Sequence, residues 1–160
     1  MIGWLARLAG RGEPDLSEAR PADAAALSAL HAASFKRGWS EGEMERLLLD
    51  GNVVAHRATI GGRFVGFILS RRAADEAEIL SVAVAARRRG RGLARTLLDL
   101  HLRRLAGLGT RAVFLEVDAA NAAACRLYAR AGFEQVACRP GYYPQAGGDA
   151  AAALVMRRDL

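Results

Sequence analysis

Apolar positions recur at helical spacing in some stretches of this chain and alternate at strand spacing in others, and the two kinds interleave from Pro21 onward. Pro21 and Asp23 open a predicted helix that runs through about Phe35. Ser40-Glu41-Gly42-Glu43 has the S-x-x-E form of a capping box; Met44, Leu47 and Leu48 follow as a helical face, and Gly51 ends it. Residues 53–60 read as a strand, Gly61-Gly62 as a tight hairpin turn and residues 63–70 (RFVGFILS) as its partner. A third strand is predicted over residues 77–84. Leu93, Leu97 and Leu100 then mark one side of a helix that ends near Gly107 and Gly109. Residues 112–117 (AVFLEV) form the next strand, residues 121–131 a short helix stopped by Gly132, and strand-like segments follow around 133–138 and 153–158. Antiparallel hairpins come first and helix crossovers later, which predicts an α/β (α+β) sheet.

Composition narrows this further. A chain of 160 residues, 52% apolar and 25% charged, is the size of one globular domain, able to bury about two thirds of its unfolded surface. Residues 1–15 read as an N-terminal extension and 16–160 as the domain. Within the extension, Trp4, Leu5 and Leu8 with Arg7 and Arg11 have the makings of a short interfacial helix, but lack the unbroken apolar run of a secretory signal. No apolar run approaches the ~20 residues that span a bilayer. Cys125 and Cys138 have no CxxC spacing and read as free thiols of a reducing compartment. His31, His56 and His101 form no HxxxH or HExxH pair, so no metal site is predicted.

The net charge of +6 is compatible with an acidic partner, and charge alone does not choose among RNA, a membrane surface and a polyanionic cofactor. It is concentrated in residues 82–98, VAVAARRRGRGLARTLL, where five arginines and two glycines lie between an apolar strand and an apolar helix. A strand, a glycine-bearing turn and a helix present unpaired backbone N–H groups and the positive end of the helix dipole to an anion. Gly90 and Gly92 let a phosphate approach the backbone, and Arg89, Arg91 and Arg95 add charge-assisted hydrogen bonds, whereas Arg87 and Arg88 read as facing solvent. The stretch fits neither GxGxxG nor GxxxxGK[ST]. A solvated charged face and a nucleic-acid patch remain open, although a base-stacking module interleaves aromatics and residues 82–98 hold none.

Arg89-Gly90-Arg91-Gly92-Leu93-Ala94 resembles the [QR]-x-x-G-x-[GA] acetyl-CoA loop of the GCN5-related N-acetyltransferases (GNAT). Leu115-Glu116-Val117, then Asn121-Ala122-Ala123-Ala124, then Leu127-Tyr128 through Gly132-Phe133 resemble the C-terminal signature of that family. The likeness covers roughly residues 16–160 and is strongest over 76–144. Within the family it is greatest to the bacterial ribosomal-protein-alanine N-acetyltransferases, through the LEV…NAAA…LY…GF run, Tyr142-Tyr143-Pro144 and Trp39-Ser40.

The resemblance implies a mixed sheet of about six to seven strands flanked by about four helices, and a monomeric, cytoplasmic enzyme. It would take acetyl-CoA as co-substrate, without a metal and without direct nucleic-acid or membrane binding. Val82, Ala83 and Val84 would carry the pantetheine arm, residues Arg89 through Arg95 the pyrophosphate, and Asn121 a further cofactor contact beside its role as a helix cap. Glu116 stands at the family's base position; alternation puts it with Phe114 and Asp118, opposite Val113, Leu115 and Val117. Tyr128 would protonate the departing thiolate, and a backbone N–H of the 82–84 strand would polarise the carbonyl. Trp39, Tyr142 and Tyr143 would meet the substrate, the tyrosines from a segment, RPGYYPQAGG, that reads as a loop. The family's acidic residues before the last strand are replaced by Gly147-Gly148-Asp149 and alanines, with Asp149 a shifted equivalent or unrelated. The implied reaction is direct transfer in a ternary complex to a protein N-terminal α-amine, first of all the N-terminal alanine of small-subunit ribosomal protein eighteen. Broader N-terminal, lysine or small-molecule amine acceptance is the alternative.

Overall fold

In the computed structural model of the protein, which describes residues 12–143 and 151–160, the Gly61-Gly62 turn closes a hairpin between β2 (Val53–Ile60) and β3 (Arg63–Ala73). Both glycines take positive φ, 57° and 76°, the backbone that two-residue hairpin turns require. β4 (Glu76–Val84) pairs antiparallel with β3, and β1 (Asp15–Glu18) adds to the outer edge of β2. From β4 the chain crosses over through α3 (Leu93–Gly107) into β5 (Ala112–Asp118), parallel to β4. After α4 (Ala122–Arg130), β6 (Glu134–Tyr143) forms the far edge, and β7 (Ala151–Asp159) inserts antiparallel between β5 and β6. The result is one mixed seven-stranded sheet of order β1-β2-β3-β4-β5-β7-β6, with α1 (Ala24–Ser34) and α2 (Glu41–Leu49) preceding β2. Among the described residues, the predicted sheet and its four helices are those found.

Two apolar layers hold the helices to the sheet. On one face Leu97, Leu98, Leu102 and Leu105 of α3 pack with Ile68, Ile79, Val113 and Leu115. On the other, Leu27 of α1 and Met44 of α2 pack with Ala55, Phe67, Leu69 and Ala83. Leu100, read as part of the α3 core stripe, lies at its half-buried flank; His101 takes a core position instead, fully buried. The capping box forms as predicted: Ser40 Oγ accepts from the Glu43 N–H at 3.2 Å, and Glu43 Oε2 accepts from the Ser40 N–H at 2.8 Å.

Two stretches depart from the sequence reading. β1 falls in Asp-Leu-Ser-Glu, at the predicted extension boundary, where one apolar residue in four gives no alternation; its ladder to β2, Asp15↔Thr59 through Glu18↔His56, is what makes it a strand. The Arg139–Tyr143 part of the segment read as a loop belongs to β6. Pro140 and Gly141 do break the pairing, which jumps from Arg139↔Ala153 to Tyr143↔Ala151, but the ladder resumes across the irregularity. Trp4, Leu5, Arg7, Leu8 and Arg11, from which a short interfacial helix is an expectation, and Pro144, Gly147, Gly148 and Asp149, lie outside the described residues. Among the described residues, no helix is long and apolar enough to cross a membrane.

Candidate active site

β4 and β5 pair only from Glu76↔Ala112 to Ile79↔Leu115, although β4 runs on to Val84 and β5 to Asp118. A bulge at this point helps part them: Leu69 faces Ser81 and Ser70 faces Ile79, so Leu80 is an extra residue in β4. Beyond the last pair the sheet is split, and a cleft of about 620 Å³ opens beside the split on the α3 side. Its walls are the end of β4 (Val82, Val84), the following loop with the first turn of α3, and one face of α4.

The loop is built by its glycines. Gly90 and Gly92 hold φ of 72° and 83°, a left-handed backbone that costs an L side chain roughly 1–2 kcal/mol. Gly92 is the N-cap of α3, so the N–H groups of Leu93, Ala94 and Arg95 have no carbonyl one turn earlier to bind. All three residues line the cleft. Arg89 turns back onto the protein, its Nε donating to the Val84 carbonyl at 3.0 Å. Arg95 bridges α3 and α4: Nε binds Asp99 at 2.9 Å, and a terminal nitrogen donates to the Arg130 carbonyl at 3.0 Å. Arg88, read from sequence as facing solvent, instead lines the cleft, and its Nε is buried with no hydrogen-bond partner among the described residues. Arg91 is exposed and outside the lining.

The remaining predicted residues are distributed around this cleft. Ala83 is turned into the α1–α2 core, away from it. Asn121 caps α4, its Oδ1 accepting from the Ala124 N–H at 3.2 Å, and does not line the cleft. Tyr128 does line it; its ring packs edge-on against Phe133 at 5.8 Å, and burial first, the Cys125 thiol second, push its hydroxyl up to about 12. Cys125 is half-buried, its thiol 3.7 Å from the Asp118 carbonyl.

Glu116 opens on the other face of the sheet. Val113, Leu115 and Val117 enter the α3 core, so Phe114, Glu116 and Asp118 point the opposite way. Register places Glu116 opposite Val155 of β7, which faces Ala137 of β6, two pairs along from Arg139 and on the same face. Arg139 reaches across and pairs with the carboxylate at 3.0 Å. Trp39 lies on this same face, stacked on His31 at 4.2 Å. It is anchored at both backbone groups: its N–H donates to His31 Nδ1 at 3.0 Å, and its carbonyl accepts from Ser28 Oγ at 2.7 Å. Burial lowers the His31 pKa, against a smaller opposing pull from Glu43, which keeps Nδ1 an acceptor. With Leu80 and Leu47, Trp39 borders a shallow 410 Å³ depression above the β4 bulge. Tyr142 and Tyr143 fall in the strand that carries Arg139.

Sequence reasoning missed Arg88, Arg126, Arg130 and Arg139. For Arg126 and Arg130 a signal existed: Ala123, Arg126, Leu127 and Arg130 recur at helical spacing, the face of α4 that lines the cleft. For Arg139 none did, because its partner lies two strands away in the sheet and 23 residues away in the chain.

A profile described as the acetyltransferase (GNAT) family matches residues 24–133. Over 99 residues, 62% of the chain, the sequence is 35% identical to the [ribosomal protein bS18]-alanine N-acetyltransferase of Salmonella typhimurium, of which it spans 67%. It is 44% identical over 84 residues, 52% of the chain, to an uncharacterized protein of Mycobacterium leprae, of which the match spans 22%. The crystal structure of the ribosomal-protein-S18-alanine N-acetyltransferase from Escherichia coli superposes with a TM-score of 0.85, covering 92% of this chain and 94% of that one at 27% identity.

Proposed function

As the chain belongs to the acetyltransferase (GNAT) family, we propose that it transfers the acetyl group of acetyl-CoA to the N-terminal α-amine of a protein. Its first substrate on this reading is the N-terminal alanine of small-subunit ribosomal protein eighteen, the substrate class that its Salmonella relative's name carries, and it acts in the cytoplasm as a monomer. One observation carries the reading: the cleft beside the β4–β5 split joins a glycine-built helix N-terminus to Tyr128, while Glu116 opens on the opposite face of the same sheet. Cofactor and acceptor thus have separate approaches to one gap.

The residues present fit such a cofactor. The orphaned Arg88 Nε and the unpaired N–H groups of the first α3 turn suit a pyrophosphate. Among the described residues no acidic one lines the cleft, and Val82, Val84 and Leu93 offer apolar contact to the arm between phosphate and thioester. Acetyl-CoA supplies an acetyl group activated as a thioester. Glu116 takes the proton of the acceptor ammonium, directly or through a water, and leaves a neutral nitrogen to attack the carbonyl carbon. A backbone N–H of the Val82–Val84 stretch stabilises the carbonyl oxygen as charge gathers on it. As the carbon–sulfur bond breaks, Tyr128 donates its proton to the departing thiolate, and the proton shed by the acylated nitrogen returns through solvent to restore the phenol; the raised pKa of Tyr128 keeps its proton in place at neutral pH before transfer.

An α-amine suits a single carboxylate. With a pKa of about 7.7–8.0 it costs about 1 kcal/mol to deprotonate at pH 7, against about 4–5 kcal/mol for a lysine near 10.4. The test is a panel of peptides beginning with Ala, Ser or Met, with a blocked peptide carrying an internal Lys as control. The Ala peptide is expected to be acetylated fastest. Faster acetylation of the internal lysine overturns the assignment.

A further inference from the structure

The cleft carries more positive charge than the loop needs. Among the described residues five arginines line it, Arg88, Arg89, Arg95, Arg126 and Arg130, and no acidic residue does. Two are spoken for: Arg89 by the Val84 carbonyl, Arg95 by Asp99 and the Arg130 carbonyl. Arg88 stands on the loop side with the α3 N-terminus. Arg126 and Arg130 stand on the opposite wall, exposed, and neither side chain has a hydrogen-bond or ion-pair partner among the described residues. They are four residues apart on α4, which puts them one turn, about 6 Å, apart on a single face. That spacing lets two guanidinium forks converge on one tetrahedral dianion. The bond from Arg95 to the Arg130 carbonyl ties this wall to α3 and fixes the gap between the two cationic centres.

Resting on the acetyl-CoA reading above, we propose that Arg126 and Arg130 form a second anion site that binds the 3′-phosphate of the cofactor's ribose. They thereby make the enzyme select the 3′-phosphorylated cofactor over its dephosphorylated form. The pyrophosphate and the phosphomonoester are distinct groups of one ligand, and the cleft offers each its own wall: backbone N–H groups and Arg88 for the first, the α4 arginine pair for the second. The site is open to solvent, so its contribution falls as salt rises.

The experiment is calorimetric titration of the full chain with acetyl-CoA and with acetyl-3′-dephospho-CoA, which differ only in that phosphate. The wild-type protein is expected to bind acetyl-CoA about 30-fold more tightly. In the Arg126→Ser/Arg130→Ser double variant the ratio is expected to fall below about threefold, with affinity for the dephosphorylated analogue unchanged. Arg126→Lys/Arg130→Lys is expected to restore part of the ratio, since charge remains and only the fork is lost. A wild-type ratio near one, or a ratio that survives in the double serine variant, overturns the proposal while leaving acetyl-CoA dependence standing. Binding of neither cofactor by the wild-type protein overturns the acetyl-CoA reading itself and this site with it.

Discussion

The imidazoles of His56 and His101 meet inside the core, Nδ1 to Nδ1 at 2.8 Å, and the other ring nitrogen of His101 lies 2.7 Å from Ser70 Oγ. One Nδ1 must donate and the other accept, so the pair has no place for a second proton. Burial first and His56 second push the His101 pKa down to about 3, and burial lowers that of His56. An unfolded histidine takes up a proton below about 6.5, whereas folded His101 does not until about 3. Stability is therefore complete above pH 6.5 and is lost as pH falls, by roughly 2 kcal/mol at pH 5 from His101 alone. Thermal unfolding at pH 7.5, 6 and 5 is expected to show a falling Tm. His101→Leu should start lower, because Ser70 and His56 lose a partner at about 1–3 kcal/mol each, but should fall less steeply. A wild-type Tm that is flat across this range contradicts the account.

The loop after β4 should separate backbone from side-chain contributions to cofactor binding. Gly92→Asp forces a side chain onto a φ of 83°, a strain of roughly 1–2 kcal/mol, partly offset because aspartate is a favoured N-cap. The fold survives, but the carboxylate repels a phosphate at the α3 N-terminus. Acetyl-CoA affinity is expected to drop at least 100-fold in Gly92→Asp and about tenfold in Arg88→Ala, a residue that lines the cleft and whose buried Nε has no partner among the described residues. Arg87→Ala should change it less than twofold. Equal losses in the two arginine variants would return Arg88 to the solvated face.

Tyr128→Phe isolates the hydroxyl. The ring keeps its edge-on contact with Phe133, so Tm and acetyl-CoA affinity should be unchanged within error. If Tyr128 protonates the thiolate, the single-turnover transfer rate falls roughly 100-fold. Because the folded hydroxyl titrates only at about 12, the wild-type rate should show no alkaline fall below pH 10 from this group. An unimpaired Phe variant removes Tyr128 from the reaction.

The elements were legible wherever periodicity and punctuation agreed. The β2–β3 hairpin with its glycine pair, the capping box at Ser40 and the α3 start at Gly92 were all written locally. β1 was not, since Leu16 is its one apolar residue and its pairing with β2 is a tertiary fact. β6 reads short from sequence because Pro140 and Gly141 are turn residues by local chemistry, and only the β7 ladder carries the strand past them. The same division holds at the site. The loop and Tyr128 could be found along the chain, but that Arg88 enters the cleft while Arg87 does not depends on the 3-10 turn at Ala86–Arg88. The His56–His101 contact was hidden for a similar reason: 45 residues separate the two rings, and neither the strand nor the helix alone announces a partner.

Glu116→Gln tests the acceptor side without disturbing its surroundings. The glutamine keeps a carbonyl oxygen for the Arg139 guanidinium that now pairs with the carboxylate at 3.0 Å, so shape and hydrogen bonding persist and basicity alone is lost. Glu116 opens on the face of the sheet away from the cleft and is no part of its lining, so acetyl-CoA affinity should be unchanged. If Glu116 is the base, transfer to an Ala-initiated peptide at pH 7 should slow by about 100-fold or more. The loss should shrink toward pH 9, where most of an α-amine with a pKa of about 7.7–8.0 is already neutral. A loss of equal size at every pH would instead assign Glu116 to acceptor binding, and an unchanged rate from pH 6 to 9 would take it out of the mechanism. Measuring the pH series on both proteins separates proton removal from binding, since only the former is relieved when solvent has already removed the proton.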